Sequence, residues 1–511
     1  MSFRKIRLLM SKYGFSILFM GFELWLSFAA FFWLNEWFPN WMSVTIMVLL
    51  YISTILAIVN RNMPPESKVT WLLIAVIPVF GFLLYLMFGE RRLSKKEMVQ
   101  LENMESMNFR EDNSHELRLQ LKEESKTVYG MVKSILSMDH NADLYNGTAS
   151  TFFPLGDQMF PQLLEDLRSA KKFIFLEFYI IEEGLMWNSI LDILLEKVKE
   201  GVEVKLLYDD IGCMATLKGN YTKRLRKLGI DAHKFNKVVP RLTVAYNTRD
   251  HRKILVIDGQ IGYTGGVNLA DEYINQRERF GHWKDSAVRL DGRAVKALTR
   301  LFLMNWYINQ GEIEDFDKYH MENQAVDGEG FYIPFGSGPK PIYKSQVGKA
   351  VYQNIINQAT DYVYITTPYL IIDYDLTEDI RNAALRGVDV RIVTPSIPDK
   401  KLIQIVTRGA YPDLMEAGVK IYEYTPGFIH SKQVLADDEV AVVGTINFDY
   451  RSLVHHYENA VWMYRSPELT KIRTDFEEIF SVSQQIKLDT FRITWYQYLI
   501  KEIMQLFAPM L

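Results

Sequence analysis

Three long apolar runs open the chain before any regular alternation begins. Tyr13–Leu34 is about a bilayer in length and carries a single acid, Glu23. Trp41–Val59 has no charged residue, and Val69–Phe88 is also uncharged but holds Pro78 and Gly81. About 20 apolar residues cross the hydrocarbon core, so all three qualify as membrane helices. Trp33, Trp37, Trp41 and Trp71 sit near the ends of these runs, where interfacial aromatics belong. Their length and repetition argue against a cleaved signal peptide. Arg4, Lys5, Arg7 and Lys12 precede the first run, and Arg91, Arg92, Lys95 and Lys96 follow the third. A preference for cytoplasmic basic clusters cannot be met by three full crossings. Either the N-terminus lies outside or one segment is re-entrant or flat; Pro78 and Gly81 single out the third, and Glu23 weakens the first.

From Arg91 to about Glu124 the pattern turns polar and only partly helical, as in a linker or surface helix. The rest is duplicated. LRSAKKFIFLEFYIIEEG (Leu167–Gly184) is followed by an amphipathic segment and then GVEVKLLYDD (Gly201–Asp210). NQATDYVYITTPYLIIDY (Asn357–Tyr374) is followed in the same way by GVDVRIVTPS (Gly387–Ser396). Each set predicts strand, crossover helix, strand. A stretch around Gly336, Ser337, Gly338 and Pro339 joins the copies; it is unlike a nucleotide-binding loop, and no GxxxxGK occurs.

Composition narrows the class. At 511 residues the chain has room for two to four domains, and its net charge of −4 carries no whole-chain basic signature of nucleic-acid binding. Its one cysteine, Cys213, excludes an internal disulfide and fits a reducing compartment.

The chemistry lies in a repeated constellation. His251, Lys253 and Asp258 follow the pattern His-X-Lys-X4-Asp, and Gly265 and Asn268 come after them. His430, Lys432, Asp437, Gly444 and Asn447 repeat it at the same offsets in a chain with only 9 histidines. Two imidazoles suit a phosphodiester, which must be attacked and whose leaving alkoxide must be protonated. Two ammonium groups and two amides suit its non-bridging oxygens, so no metal or other cofactor is expected. The two α/β halves, packed face to face, would bring His251 and His430 to one phosphate. Asp258 and Asp437 come five residues after their lysines, near the far ends of strands, where they are expected to brace the site. Glu458 lies 28 positions after His430 and Asp285 lies 34 after His251, each at the start of a β-like run. These acids are the candidates to orient the imidazoles. Glu272 is left as structural or near an acceptor, and His455 and His456 receive no role.

The two motifs resemble the paired HKD motifs of the phospholipase D superfamily. NTRDHRKILVIDGQIGYTGGVNLADEY (Asn247–Tyr273) and FIHSKQVLADDEVAVVGTINFDYRS (Phe428–Ser452), with the apolar runs before them, are similar to bacterial cardiolipin synthases. That resemblance implies two pseudo-twofold-related α/β halves with the active site between them, behind an N-terminal helical membrane region. The expected division is 1–89 membrane region, 90–130 charged linker, 131–330 first half and 331–511 second half. It implies transfer of a phosphatidyl group between two phosphatidylglycerols in the membrane, giving cardiolipin and glycerol, with the catalytic part on the cytoplasmic face. Hydrolysis, or transfer to another alcohol, is the alternative. The resemblance also suggests His251 as nucleophile and His430 as acid/base; spacing alone does not choose. Phe491–Leu511 reads as an amphipathic helix, lying at the membrane interface or docked on the protein.

Overall fold

Strand and crossover spacing translate directly into two sheets. The computed structural model describes residues 36–59, 114–237, 248–310, 316–319, 325–340 and 342–506, together with 32, 68, 71, 72 and 99. The chain divides into two compact units, one of 1–92 with 239–247 and 506–511, the other of 93–238 and 248–505.

In the first unit, Asn40–Val59 forms a helix of 20 residues without a charged side chain. Among the described residues no helix is long and apolar enough to cross a membrane. This one comes nearest, and it exposes Trp41, Val44, Val48, Leu49, Ile52 and Leu56. The runs expected at Tyr13–Leu34 and Val69–Phe88, with both basic clusters, lie almost wholly outside the described residues.

The second unit begins with two helices. Ser114–Glu124 buries Leu117 and Leu121, and Lys126–Met138 buries Val128, Met131, Val132, Ile135 and Leu136. The stretch that reads as a linker thus ends in a packed helix. The first half then supplies β1 (Thr148–Phe153), β2 (Phe173–Phe178), β3 (Glu203–Asp209), β4 (Asp231–Phe235), β5 (Lys253–Ile257), β6 (Ile261–Gly265), β7 (His282–Lys284) and β8 (Ala287–Gly292). The second supplies β9 (Phe331–Ser337), β10 (Tyr362–Thr366), β11 (Leu370–Ile371), β12 (Asp389–Pro395), β13 (Lys420–Tyr424), β14 (Gly427–Ile429), β15 (Gln433–Ala436), β16 (Val440–Gly444), β17 (Phe448–Asp449), β18 (Glu458–Tyr464) and β19 (Ser483–Ile486).

The spatial orders are β1-β8-β6-β5-β2-β3-β4 and β9-β18-β16-β15-β10-β12-β13-β19. Apart from the added β19 they match strand for strand, so the duplication read in the sequence is a duplication of topology. In each half the crossover units pair in parallel, β2 with β3 and β10 with β12, and the motif hairpins pair antiparallel. The central strands are buried on both faces, which explains runs such as FIFLEF in β2. Burying each large apolar side chain there contributes roughly 1.5–3 kcal/mol.

The halves meet where β6 and β8 approach β16 and β18. Asn459 Nδ2 donates to Thr264 Oγ1 across this seam at 2.8 Å. Arg252, fully buried, crosses it with bonds from Nε to Glu458 O (3.1 Å) and from Nη2 to Tyr343 Oη (2.6 Å).

Candidate active site

Each motif enters its sheet just after its histidine, so His251 and His430 stand at the mouths of β5 and β15. Two backbone bonds decide what faces them. His251 N–H donates to Tyr457 O (2.9 Å), and His430 N–H donates to Lys284 O (2.7 Å). Each histidine is thereby stitched beside the residue that precedes an acid of the opposite half. A short parallel ladder of β7 with β14, pairing Lys284 with Ile429, reinforces the second contact.

The imidazoles take their carboxylates crosswise. His251 Nδ1 lies 2.9 Å from both Glu458 Oε1 and Oε2, and His430 Nδ1 lies 2.6 Å from Asp285 Oδ2. Sequence reasoning finds both acids, but distance along the chain does not reveal that each serves the other repeat's histidine. A carboxylate on Nδ1 fixes the tautomer and leaves Nε2 for chemistry. The acids are set differently: Glu458 also accepts the Thr445 hydroxyl, whereas Gly266 leaves no space for a side chain against Asp285. The motif glycines have a steric reason as well. A Cβ on Gly265 would strike Ser286 O, and one on Gly444 would strike Ala460.

Lys253 and Lys432 are buried, and each Nζ donates to the carbonyl of its own motif histidine, Lys253 to His251 O at 2.6 Å and Lys432 to His430 O. Burial pushes the Lys253 ammonium down to about 8 and that of Lys432 down to about 7. Burial, with the charges of Lys253 and Lys432, also holds His251 well below the usual imidazole range. His430 falls to about 4, chiefly through burial and then Lys432, against the pull of Asp285. Burial alone would raise Asp285, but His430 and Lys432 keep its carboxyl below the ordinary value. These mutual influences put both histidines and both lysines in one electrostatic neighbourhood.

The other expected residues divide by role. Asp258 and Asp437 face away from the histidines, and each occupies a left-handed turn at φ 53°. Asp258 accepts the N–H groups of Lys171, Lys172 and Phe173 at 2.7–2.8 Å. Asp437 accepts those of Thr360, Asp361 and Tyr362 at 2.8–3.0 Å. Both pin the start of a neighbouring strand, β2 or β10. Asn268 Oδ1 accepts Ile180 N–H and its Nδ2 donates to Tyr273 Oη, while Asn447 Nδ2 donates to Asp449 and its Oδ1 has no partner. Glu272 is a buried clamp for Arg277 and Arg279.

His456, given no role from the sequence, stands beside His251. Its ring centroid lies 5.6 Å from that of His251, and its Nδ1 lies 3.7 Å from Glu458 Oε1. His251, His456 and Glu458 are also the one His/acid group among the described residues whose ligand atoms could close on a metal ion. The available signal was its position two residues before Glu458. Walls differ around the two imidazoles: Tyr179 stands edge-on to His251, whereas Tyr273, Trp283 and Phe428 surround His430.

Comparison with known proteins agrees with this geometry. Residues 163–305 and 352–480 match the family described as cardiolipin synthase, PLD-like domain. The chain belongs to the cardiolipin synthase family of PLD-like proteins. Residues 48–90 match the phospholipase D-nuclease N-terminal family. The chain is 34% identical to a cardiolipin synthase of Alkalihalophilus pseudofirmus over 95% of its own length and 98% of that protein's. It is 33% identical to cardiolipin synthase 2 of Bacillus anthracis over 88% of each chain. An uncharacterized protein of Streptococcus mutans is 43% identical over 90% of this chain and 100% of its own. The fold is shared with the crystal structure of a phosphatidylserine synthase from Haemophilus influenzae, with a TM-score of 0.54 at 15% identity over 71% of this chain and 93% of that one.

Proposed function

We propose that this chain is a cardiolipin synthase that moves a phosphatidyl group from one phosphatidylglycerol to another and releases glycerol. The observation that carries this reading is the crosswise pairing of His251 with Glu458 and His430 with Asp285, in a chain that aligns with nearly the whole of a curated cardiolipin synthase.

His251 Nε2 attacks phosphorus and forms a phosphohistidine, while His430 gives its proton to the departing glycerol oxygen. His430 then takes the proton of the incoming lipid hydroxyl, which displaces His251. Lys253 and Lys432, with Asn268 and Asn447, hold the non-bridging oxygens. Glu458 and Asp285 orient the rings, and Asp258 and Asp437 brace the strands that carry them. Side chains perform every proton and phosphoryl transfer in this scheme.

Both lipids reside in the bilayer, so the active site opens at a membrane surface. Residues 1–89 form the membrane region, followed by a connecting segment to about 130, a first half to about 330 and a second half beyond it. The match over 48–90 and the uncharged helix Asn40–Val59 support the membrane region. Trp495 and Leu499 are exposed on the helix Trp495–Leu506 and support an interfacial C-terminal helix. The catalytic part faces the cytoplasm.

Purified protein given phosphatidylglycerol alone tests the reading. Cardiolipin with equimolar glycerol is expected, and a His251→Ala, His430→Ala double variant yields neither. Phosphatidic acid without cardiolipin would instead identify a hydrolase.

A further inference from the structure

A π-helical turn, Arg451–His455, connects β17 to the approach of Glu458. Such turns are rare and concentrate at functional sites. Here the turn is closed by His456 N–H donating to Arg451 O at 2.9 Å, so Arg451 and His456 stand at its two ends.

Both side chains have unused hydrogen-bonding capacity. The Arg451 Nε is buried without an acceptor. His456 is only 9% exposed, and neither ring nitrogen has a partner within hydrogen-bond distance, Nδ1 standing 3.7 Å from the Glu458 carboxylate. Unpartnered buried donors are costly, and native structures keep few of them without reason. His456 adjoins the imidazole that reacts in the scheme above, and Arg451 acts on His456; together they mark a place for a ligand rich in acceptors. The sign of the ligand follows from the surroundings. Arg451 acts electrostatically on Tyr179, Asp449 and His456, and Lys253 and Lys432 add their charge at His251. These cations draw an anion, while the Glu458 and Asp449 carboxylates face the same groups.

We propose that Arg451 and His456 form a second phosphodiester-binding pair beside His251, separate from the motif lysines, that grips a phosphatidylglycerol headgroup. This rests on the cardiolipin synthase reading. Arg451 supplies a charge-assisted fork to two phosphate oxygens, and His456 adds one N–H. Cardiolipin formation brings two phosphodiesters to the site, the donor's, which reacts, and the acceptor's own, which is held while its hydroxyl attacks. Both match the pair chemically.

The test uses the full-length enzyme with phosphatidylglycerol in mixed micelles and compares two reactions. Exchange of labelled free glycerol into phosphatidylglycerol involves the donor phosphate only; cardiolipin formation involves both. Arg451→Gln and His456→Leu are each expected to raise KM for phosphatidylglycerol tenfold or more. An equal loss in both reactions assigns the pair to the donor phosphate. A loss in cardiolipin formation at least tenfold greater than in exchange assigns it to the acceptor's. Both variants keeping KM and both rates within twofold of wild type overturns the proposal. If Arg451→Gln fails to fold, Arg451→Lys carries the same criterion, since it keeps the charge and loses the fork. Titration calorimetry with glycerophosphoglycerol measures the pair apart from turnover. Weaker binding in the variants supports the pair even if wild-type enzyme makes no cardiolipin, an outcome that would sink only the functional reading.

Discussion

Replacing Glu458 by Gln removes one charge and almost nothing else. Both carboxylate oxygens lie 2.9 Å from His251 Nδ1, and the side chain is fully buried. When His251 Nε2 bonds to phosphorus, the ring becomes cationic with its Nδ1 proton aimed at this carboxylate. Two unit charges at that distance in an effective dielectric of about 20 attract by roughly 6 kcal/mol. An amide oxygen retains an ordinary hydrogen bond worth about 1 kcal/mol, and part of the rest is offset by local rearrangement. About 4 kcal/mol of stabilisation of the intermediate is lost, which is about 10³-fold in rate. Rapid-quench measurement of glycerol release from phosphatidylglycerol should show the burst abolished and the steady rate down by that factor. The melting temperature should move by only a few degrees, because Thr445 and Arg252 still hold residue 458 through its side chain and its backbone oxygen. A Glu458→Gln enzyme that melts like wild type and keeps more than a tenth of its rate would refute the assignment.

The pH profile of kcat/KM should fall on the alkaline side as Lys432 and then Lys253 lose their protons, near about 7 and about 8. It should fall on the acid side, below the usual imidazole range, as His251 becomes protonated and can no longer attack phosphorus. A bound phosphodiester favours the ammonium form, so the alkaline limb of kcat should lie above that of kcat/KM; the reverse order would contradict the lysine roles. Asp258→Ala should cost about 3 kcal/mol in urea unfolding, because three N–H groups lose their acceptor and alanine is forced into a left-handed turn. Its rate per folded molecule should change less than tenfold, and a hundredfold loss at unchanged stability would place Asp258 in the chemistry instead. Arg252→Met should destabilise by about 3–5 kcal/mol, since Glu177 and Asp250 share its charge in a buried cluster. Equilibrium unfolding at neutral pH within 1 kcal/mol of wild type would disprove that role.

Much of this was legible in the residues. Motif spacing predicts both strand mouths, and repeated strand-helix-strand runs predict two similar α/β halves; the shared strand order comes from the fold. The distance of Asp258 and Asp437 beyond the lysines suggests bracing residues, but that they hold the starts of β2 and β10 comes from the fold. The crosswise exchange of acids was not legible, because it depends on His251 N–H reaching Tyr457 O and His430 N–H reaching Lys284 O, contacts that join distant segments. His456 escaped notice because an isolated histidine carries no pattern; only the fold sets it beside His251. Leu117 and Leu121 were hidden in a charged stretch whose helical period is incomplete, yet they are buried.

The exchange of acids makes the two halves inseparable in function. Neither half holds a complete histidine–carboxylate pair, so any motion that opens the seam at Asn459 and Thr264 disarms nucleophile and acid together. The motifs themselves are nearly equivalent, and the difference between attack and proton transfer must therefore come from their surroundings. Around His251 these are polar, with Glu458 held by Thr445 and with His456 nearby, which suits the charged phosphohistidine proposed there. Around His430 they are aromatic, from Tyr273, Trp283 and Phe428. Apolar walls on the side where the second alcohol enters disfavour free water and favour a hydroxyl delivered by a lipid. In the proposed mechanism the three rings around His430 thus bias the choice between hydrolysis and transfer, while the HKD residues supply the chemistry common to both.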